Sequence, residues 1–311
     1  PGHPAGNAAS FAGLEFPDPQ AEAIRRAEEL RGRVDVLVLV SHMGDDRDEE
    51  LLGRTRLFDL VIGGHTHVLR DTVVNGTLLT QTGKDLRYVG VTEIRLRGGK
   101  VQSADFRLVP LDGYGPDAGF AAEVERYYAS PELNRPVGAF AATMDKQGLA
   151  NWMAAAVADE ADAEVGFYHI GGVRLDSLAG EVVAADIYNL DPFGSKLVTA
   201  EMTADELARL VKTKFNDTVN LDESHRIDIY MTTPYVIRTD ERFEAQSVAF
   251  PELKPGRRYR VAMGDYIFKT YSGLDYTDGA PTGTLLTDVL DSYLRARSPL
   301  APDNEPRQRI E

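Results

Sequence analysis

The 311-residue chain contains no cysteine. That absence excludes disulfide bonds, a redox-active dithiol and thiolate metal ligands. A metal ion bound here would rest on histidine, aspartate, asparagine or water instead. The chain also lacks a long hydrophobic run, since its longest apolar stretch, residues 34–40, contains Asp35 and falls far short of the ~20 residues that a membrane span needs. We therefore expect no membrane-spanning segment.

Positive charge is scarce. The chain has 34 lysines and arginines against 49 aspartates and glutamates, which gives a formal net charge of -15. Nucleic acids and anionic membrane surfaces are themselves polyanions, so electrostatics disfavours both as partners. We expect no nucleic-acid partner, and we expect any phosphate group to be bound locally by a metal ion or a few arginines.

The pattern of predicted helices and strands divides the chain into three parts. Residues 1–110 alternate helix and strand signals and close with hairpins, one of them marked by Asn75-Gly76. Residues 111–136 carry glycine and proline around a helix that suits a linker. Residues 137–311 return to mixed helices and strands. A length of 311 residues with 43% hydrophobic content agrees with two α/β domains.

Three of the six histidines follow two predicted buried strands, residues 34–40 and 60–62. They are His42, His65 and His67. The carboxyl ends of neighbouring parallel strands converge on one crevice, so the three imidazoles could reach a common point. On an extended backbone a spacing of two places His65 and His67 on opposite sides, which suits two neighbouring ions better than one. A lone histidine is more often a surface or core residue, but this constellation favours metal ligation.

Between these histidines lies an acidic run, residues 45–50, directly before a predicted helix. Acidic side chains are favourable at the positive end of the helix dipole. We interpret the run as a solvated helix start rather than as a cation site.

Two motifs carry a family resemblance. Ser41-His42-Met43-Gly44 and Gly63-Gly64-His65-Thr66-His67 resemble the closing motifs of calcineurin-like metallophosphoesterases, in their 5'-nucleotidase branch. The resemblance implies an α/β fold in which residues 1–110 are the C-terminal part of a four-layered α/β/β/α metallophosphoesterase domain. Residues 137–311 then form an α/β 5'-nucleotidase C-terminal domain that binds substrate.

The same resemblance implies two divalent metal ions, with zinc, manganese, magnesium, calcium and cobalt all open. His42 and His65 are implied as ligands of one ion and His67 as a ligand of the other. The nucleophile is implied to be water between the ions, so no catalytic side chain is assigned in this chain. The family's earlier Asp-x-His, Gly-Asp and Gly-Asn-His motifs are absent, and three histidines cannot close a two-metal site. We therefore expect an incomplete, inactive part of an enzyme that the family resemblance places in the periplasm or outside the cell.

The second domain resembles the family at two further places. His169-Ile170-Gly171-Gly172-Val173-Arg174 resembles its Asn-Gly-Gly-Gly-Ile-Arg loop, and Asp191-Pro192-Phe193-Gly194 its Leu-Pro-Phe-Gly element. The resemblance implies that Arg174 contacts phosphate or ribose and that Phe193 and Tyr266 clamp the base. It also implies that His169 replaces a base-reading asparagine and that Asp275, after a shift of register, matches a ribose-contacting aspartate. Structural roles in the core, in an ion pair or in a turn are the alternatives for these residues.

Together these features predict a metal-dependent phosphoric-ester hydrolase whose partner is a small-molecule nucleotide. The departures at the clamp leave other hydrolase substrates open, namely cyclic nucleotides, UDP-sugars and thiosulfate esters. A non-catalytic nucleotide-binding relative is the alternative from another class.

Overall fold

The computed structural model describes residues 13–216, 227–271 and 280–311. Contacts divide the described residues into two units, residues 13–121 and the described residues from 122 onward. Helices and strands alternate in both units, which confirms the predicted α/β class. The division falls within helix α3, Ala118–Tyr128, inside the predicted linker segment. In the part of the chain that is described, no helix is both long and apolar enough to cross a lipid bilayer.

The first unit contains a four-stranded sheet. Its strands are β1 (Val38–Val40), β2 (Leu60–Ile62), β3 (Leu69–Val74) and β4 (Thr77–Thr82), in the order β1-β2-β4-β3. β1, β2 and β4 are parallel, and β3 is antiparallel to β4. The turn between β3 and β4 has φ of 51° at Asn75 and 91° at Gly76, as the favoured two-residue hairpin turn requires. The hairpin predicted here is confirmed.

Two helices of the first unit, α1 (Pro19–Arg31) and α2 (Asp45–Arg54), contribute apolar side chains to its core. A separate antiparallel pair follows the sheet, formed by β5 (Tyr88–Arg97) and β6 (Lys100–Pro110). The central buried side chains of the core are Ala27, Leu51, Leu52, Val61 and Leu79.

The first strand differs from its prediction. We expected a buried strand over residues 34–40, but β1 covers only Val38–Val40 and both end residues are exposed, Val40 by 77%. β1 lies at one end of the strand order and pairs only with β2. Apolar residues therefore predicted the strand but not its burial, because burial depends on what covers each face.

The second unit is built on a five-stranded sheet with the order β11-β8-β14-β10-β15. Its strands are β8 (Val165–His169), β10 (Lys196–Thr203), β11 (Ile229–Met231), β14 (Arg258–Gly264) and β15 (Ala280–Leu285). Helix α4, Lys146–Glu160, packs on β8 so closely that a Cβ at Gly166 would lie 2.1 Å from the carbonyl oxygen of Ala154. Trp152 of α4 is buried and meets the Phe140 ring edge-on at 5.1 Å.

The remaining strands of the second unit form two smaller sheets. One has the order β13-β12-β16 and the other pairs β7 with β9. These strands are β7 (Pro136–Asp145), β9 (Ser177–Val183), β12 (Tyr235–Thr239), β13 (Ala245–Ala249) and β16 (Gln308–Ile310), and the further helices are α5 (Ala184–Leu190), α6 (Ala204–Phe215), α7 (Asp265–Thr270) and α8 (Leu286–Arg297).

Three segments lie together at one end of the strands of the five-stranded sheet. β8 and β14 pair in parallel, so both end at this edge. β10 is antiparallel to β14, with Leu197 opposite Gly264, so it begins there. The end of β8, the loop before β10 and the start of α7 therefore lie side by side.

Candidate functional site

In the first unit, the structure brings two of the three predicted ligands together. His42 follows β1 and His65 follows β2, and these strands are parallel neighbours. The two ring centroids lie 5.3 Å apart with an interplanar angle of 66°. A Cβ at Gly64 would lie 2.9 Å from Nδ1 of His42, so this glycine leaves room for the ring in its present position. The sequence argument for convergence at strand ends is consistent with this geometry.

The backbone around the other histidines differs from our expectation. His65 has φ of 80° and His67 has φ of 61°, so neither residue is extended and the opposite-sides argument was wrong. Left-handed φ is uncommon for residues other than glycine and costs on the order of 1–3 kcal/mol at each position. Both side chains are exposed. Such strain persists only where neighbouring contacts hold the loop.

Those contacts come from the acidic run, which our sequence interpretation placed in solvent. Asp45 and Asp48 are in fact 1% and 0% exposed. Asp45 accepts hydrogen bonds from Thr66 Oγ1 at 2.6 Å and from Arg70 Nε at 2.6 Å. Burial opposes ionisation, but the bonds from Thr66 and Arg70 outweigh it and lower the pKa of Asp45. The spacing of three that puts both aspartates on the face of Leu51 and Leu52 was the signal we missed.

Asp48 lies on the same face of α2, three residues after Asp45. Ser41 Oγ donates to its Oδ1 at 2.5 Å, whereas its Oδ2 is buried without a hydrogen-bond partner among the described residues. Burial raises the pKa of Asp48, and the bond from Ser41 only partly offsets that effect. A Cβ at Gly63 would lie 3.0 Å from Oδ2. Asp48 therefore touches the residue before His42 and the glycine that begins the next motif.

These side chains supply part of a metal site. Imidazole nitrogens suit first-row divalent ions, and His42 and His65 are near enough to share one. Across residues 13–216, 227–271 and 280–311, however, no group of three or more histidine, cysteine, aspartate or glutamate side chains is arranged to hold a metal ion. The donor set is partial by the standards of known sites. The ligand roles of His42, His65 and His67 stay predictions.

In the second unit, His169 ends β8 and lies within a stack of aromatic rings. Its ring stacks with Tyr168 at 5.4 Å and with Tyr266 at 4.9 Å, both within 24° of parallel. A Cβ at Gly172 would lie 2.5 Å from Cε1 of His169, so this glycine also makes room for an imidazole. Nδ1 of His169 is buried without a partner among the described residues. Burial lowers the pKa of His169 to about 4, which keeps the ring neutral near pH 7.

Arg174 and Phe193 meet at the same edge of the sheet. The guanidinium of Arg174 lies over the Phe193 ring, 5.9 Å from its centroid, and the backbone N–H of Arg174 donates to Leu190. Phe193 is 58% exposed and Tyr266 is 37% exposed, so neither is a core aromatic. The backbone N–H of Lys196 donates to Asp265 at 3.1 Å, which joins the Phe193 loop to the start of α7.

The loop that presents Phe193 is held by Asp191, where the family pattern has leucine. Asp191 is 1% exposed and accepts hydrogen bonds from Tyr168 Oη at 2.7 Å and from the Phe193 N–H and Ser195 Oγ, both at 3.3 Å. Burial raises the pKa of Asp191 despite these bonds. Sequence reasoning assigned Asp191 no role of its own. Asp275 lies outside the described residues, so its predicted ribose contact stays a prediction.

Known proteins resemble the chain over nearly its full length. Residues 131–278 match the family model of the 5'-nucleotidase C-terminal domain. The chain is 23% identical to UshA of Yersinia enterocolitica, with 98% of this chain and 67% of UshA aligned. A solved 5'-nucleotidase precursor from Thermus thermophilus matches with a TM-score of 0.77 at 19% identity, over 95% of this chain and 68% of that one. The sulfate thiohydrolase SoxB of Thermus thermophilus matches with a TM-score of 0.79 at 19% identity, over 98% of this chain and 60% of that one.

The solved structures share the mixed α/β fold described above. Together with the family model matched by residues 131–278, these relatives support the resemblance to the 5'-nucleotidase family that the motifs indicated. The chain spans about two thirds of the length of UshA and of the Thermus thermophilus nucleotidase.

Proposed function

We propose that the protein is a metal-dependent phosphoric-ester hydrolase of nucleotides, with metal ligands in the first unit and nucleotide binding in the second. One observation carries the metal part: the His42 and His65 rings lie 5.3 Å apart after two parallel strands. The family match of residues 131–278 supports a nucleotide as the substrate. The periplasmic or extracellular location remains a prediction.

His42 and His65 hold one divalent ion in this proposal, and His67 holds a second. Two such ions lower the pKa of a bound water and stabilise the phosphoryl oxygens. Imidazole ligands favour zinc over magnesium or calcium. Because the described residues form no group of three ligands, we propose that this chain alone does not turn over substrate.

Arg174, Phe193, Tyr266 and His169 form the nucleotide side of the proposal. The exposed rings of Phe193 and Tyr266 offer stacking surface to a base, worth ~1–3 kcal/mol with little discrimination between bases. The guanidinium of Arg174 can leave the Phe193 ring to pair with phosphate oxygens. In this proposal the His169 ring stacks on the Tyr266 ring and supports it, and it does not itself contact the base.

Calorimetric titration of the chain with zinc tests the metal part. We expect one ion to bind, with an affinity at least tenfold weaker in His42→Ala and in His65→Ala. His225→Ala removes a histidine outside both motifs and is the matched control. Equal affinity in all four proteins would refute the ligand assignment.

Release of the hydrolysis product tests the substrate: free phosphate from nucleoside monophosphates, a nucleoside monophosphate from cyclic nucleotides or UDP-sugars, and sulfate from a thiosulfate ester. The full-length gene product and this chain are assayed with manganese or zinc against nucleoside monophosphates, cyclic nucleotides, UDP-sugars and a thiosulfate ester. We expect release from nucleoside monophosphates by the full-length product, abolished by His65→Ala, and none by this chain. A ligand-dependent thermal shift without any release by the full-length product would instead favour a non-catalytic binding protein.

A further inference from the structure

The loop of residues 63–67 needs an external support. His65 and His67 both have left-handed φ, and Thr66 between them forms hydrogen bonds with two other side chains. Thr66 Oγ1 donates to Asp45 and accepts from Gln81 Nε2 at 3.1 Å. Both partners are almost fully buried, with Asp45 1% exposed and Gln81 2% exposed. A buried partner cannot be replaced by water without rearrangement, so these bonds fix Thr66.

The loop of residues 41–44 is supported by Asp48, which lies with Asp45 in the first turn of α2. Ser41 Oγ donates to Asp48 and also accepts the backbone N–H of Met43 at 3.2 Å, which spans His42. The Ser41 N–H donates to the carbonyl of Ile62 at 2.8 Å, so this loop is also joined to the end of β2. Asp48 Oδ2 meanwhile fills the space above Gly63.

We infer that the first turn of α2 sets the separation of the two histidine-bearing loops, with Asp48 and Asp45 as positioning residues. Asp48 fixes the loop that carries His42, and Asp45 fixes Thr66 between His65 and His67. Neither aspartate is one of the proposed ligands, and each acts through a neighbouring hydroxyl. The metal consequence of this positioning rests on the proposed function, whereas the ordering of the loops does not.

Asp46 provides a matched control. It lies in the same first turn of α2, but its side chain is exposed. Replacing it changes the charge of the turn by the same amount as replacing Asp48. A difference between the two variants therefore reports on the buried contacts and not on the helix dipole.

Amide hydrogen exchange tests the ordering of the loops without any metal. In Asp48→Ala we expect at least tenfold faster exchange at Ser41, Met43 and Gly63, and in Asp45→Ala at Thr66. Asp46→Ala should match the wild type, and exchange in β5 and β6 should stay unchanged in all three. Unchanged loops in Asp48→Ala and Asp45→Ala, or an equal increase throughout the unit, would overturn the inference.

Cobalt binding adds a readout that general loosening of the fold would not reproduce. The visible absorption of bound cobalt reports ligand geometry, and we expect 10- to 100-fold weaker binding with an altered spectrum in Asp48→Ala. Asp48→Asn keeps an oxygen that accepts from Ser41, so it should restore binding to within about threefold of the wild type. Failure of Asp48→Asn to improve on Asp48→Ala would overturn the role of the Ser41 contact. If the wild type binds no cobalt, the proposed function loses its metal site while the exchange result still decides the positioning role.

Discussion

The two units hold their imidazoles in opposite ways. His65 is exposed on a left-handed backbone, whereas His169 has an ordinary strand backbone, with φ of -107° and ψ of 139°, and its ring lies within an aromatic stack. The ion-binding role proposed for His65 needs an accessible nitrogen, and the exposed His65 ring lies on a strained backbone. A ring that supports a stacking surface needs only to stay neutral and fixed, and burial provides both.

Both environments nevertheless depend on a glycine and on a buried aspartate. Gly64 leaves room for His42 and Gly172 leaves room for His169. Asp48 holds the loop next to His42, while Asp191 holds Tyr168, which stacks on His169. The units therefore differ in how far the imidazole can move when the neighbouring glycine is replaced: the His42 ring is exposed, whereas the His169 ring is held in a stack.

The largest expected effect is a pH dependence confined to the second unit. The pKa of His169 is lowered to about 4, so between pH 6.5 and 4 the unfolded chain binds more protons than the native unit, and stability falls as pH falls. The full shift corresponds to roughly 3 kcal/mol. His169→Phe keeps a ring in the stack but cannot titrate, so it should lack this loss.

The measurement is urea unfolding at several pH values, followed by circular dichroism. The raised pKa of Asp191 acts in the opposite direction, so only the difference between wild type and His169→Phe isolates the imidazole. A difference that does not change between pH 6.5 and 4 would contradict the buried, neutral state of His169.

A matched pair of glycine variants tests how far each ring can move. A Cβ at Gly172 meets His169 at 2.5 Å, and the stacked ring cannot retreat, so Gly172→Ala should destabilise its unit by about 2 kcal/mol. A Cβ at Gly64 meets the exposed His42 ring, which can swing away, so Gly64→Ala should cost below about 0.5 kcal/mol. Zinc affinity should respond in the reverse order. Equal destabilisation by the two variants would remove the contrast between the units.

The smallest expected effect has the opposite sign. Glycine adopts left-handed φ without steric cost, so His65→Gly should stabilise the protein by about 0.5–1 kcal/mol while weakening metal binding. His42 lies outside the residues with positive φ, so His42→Gly should weaken metal binding and also lower stability by a similar amount. Thermal unfolding together with zinc titration checks both. A loss of stability in His65→Gly would mean that the left-handed loop is not strained.

Much of the fold followed from local signals. The Asn75-Gly76 turn, the strand at residues 60–62 and the approach of His42 to His65 depend on turn chemistry and strand polarity, both of which are legible in sequence. The pairing of β7 with β9 was not foreseen, because its register shifts twice and its strands lie about 40 residues apart.

The supporting side chains of both sites were harder to predict. Asp45 and Asp48 have the composition of a solvated helix start, and only tertiary packing shows that they are buried. Asp191 differs from the family motif, and it accepts a hydrogen bond from Tyr168, which lies 23 positions away in the sequence. The left-handed backbone at His65 could not be predicted from the residue types around it. Local patterns thus indicated which candidate groups lie near one another better than which side chains hold them in place.

Trp152 gives the second unit its own optical signal. It is the single tryptophan of the chain, it is 3% exposed, and it lies in α4 beside Phe140. A buried indole changes its emission when water reaches it, so fluorescence follows the unfolding of this unit alone. Comparing that transition with one seen by a probe of the whole backbone reveals whether the two units melt as one cooperative block or as two.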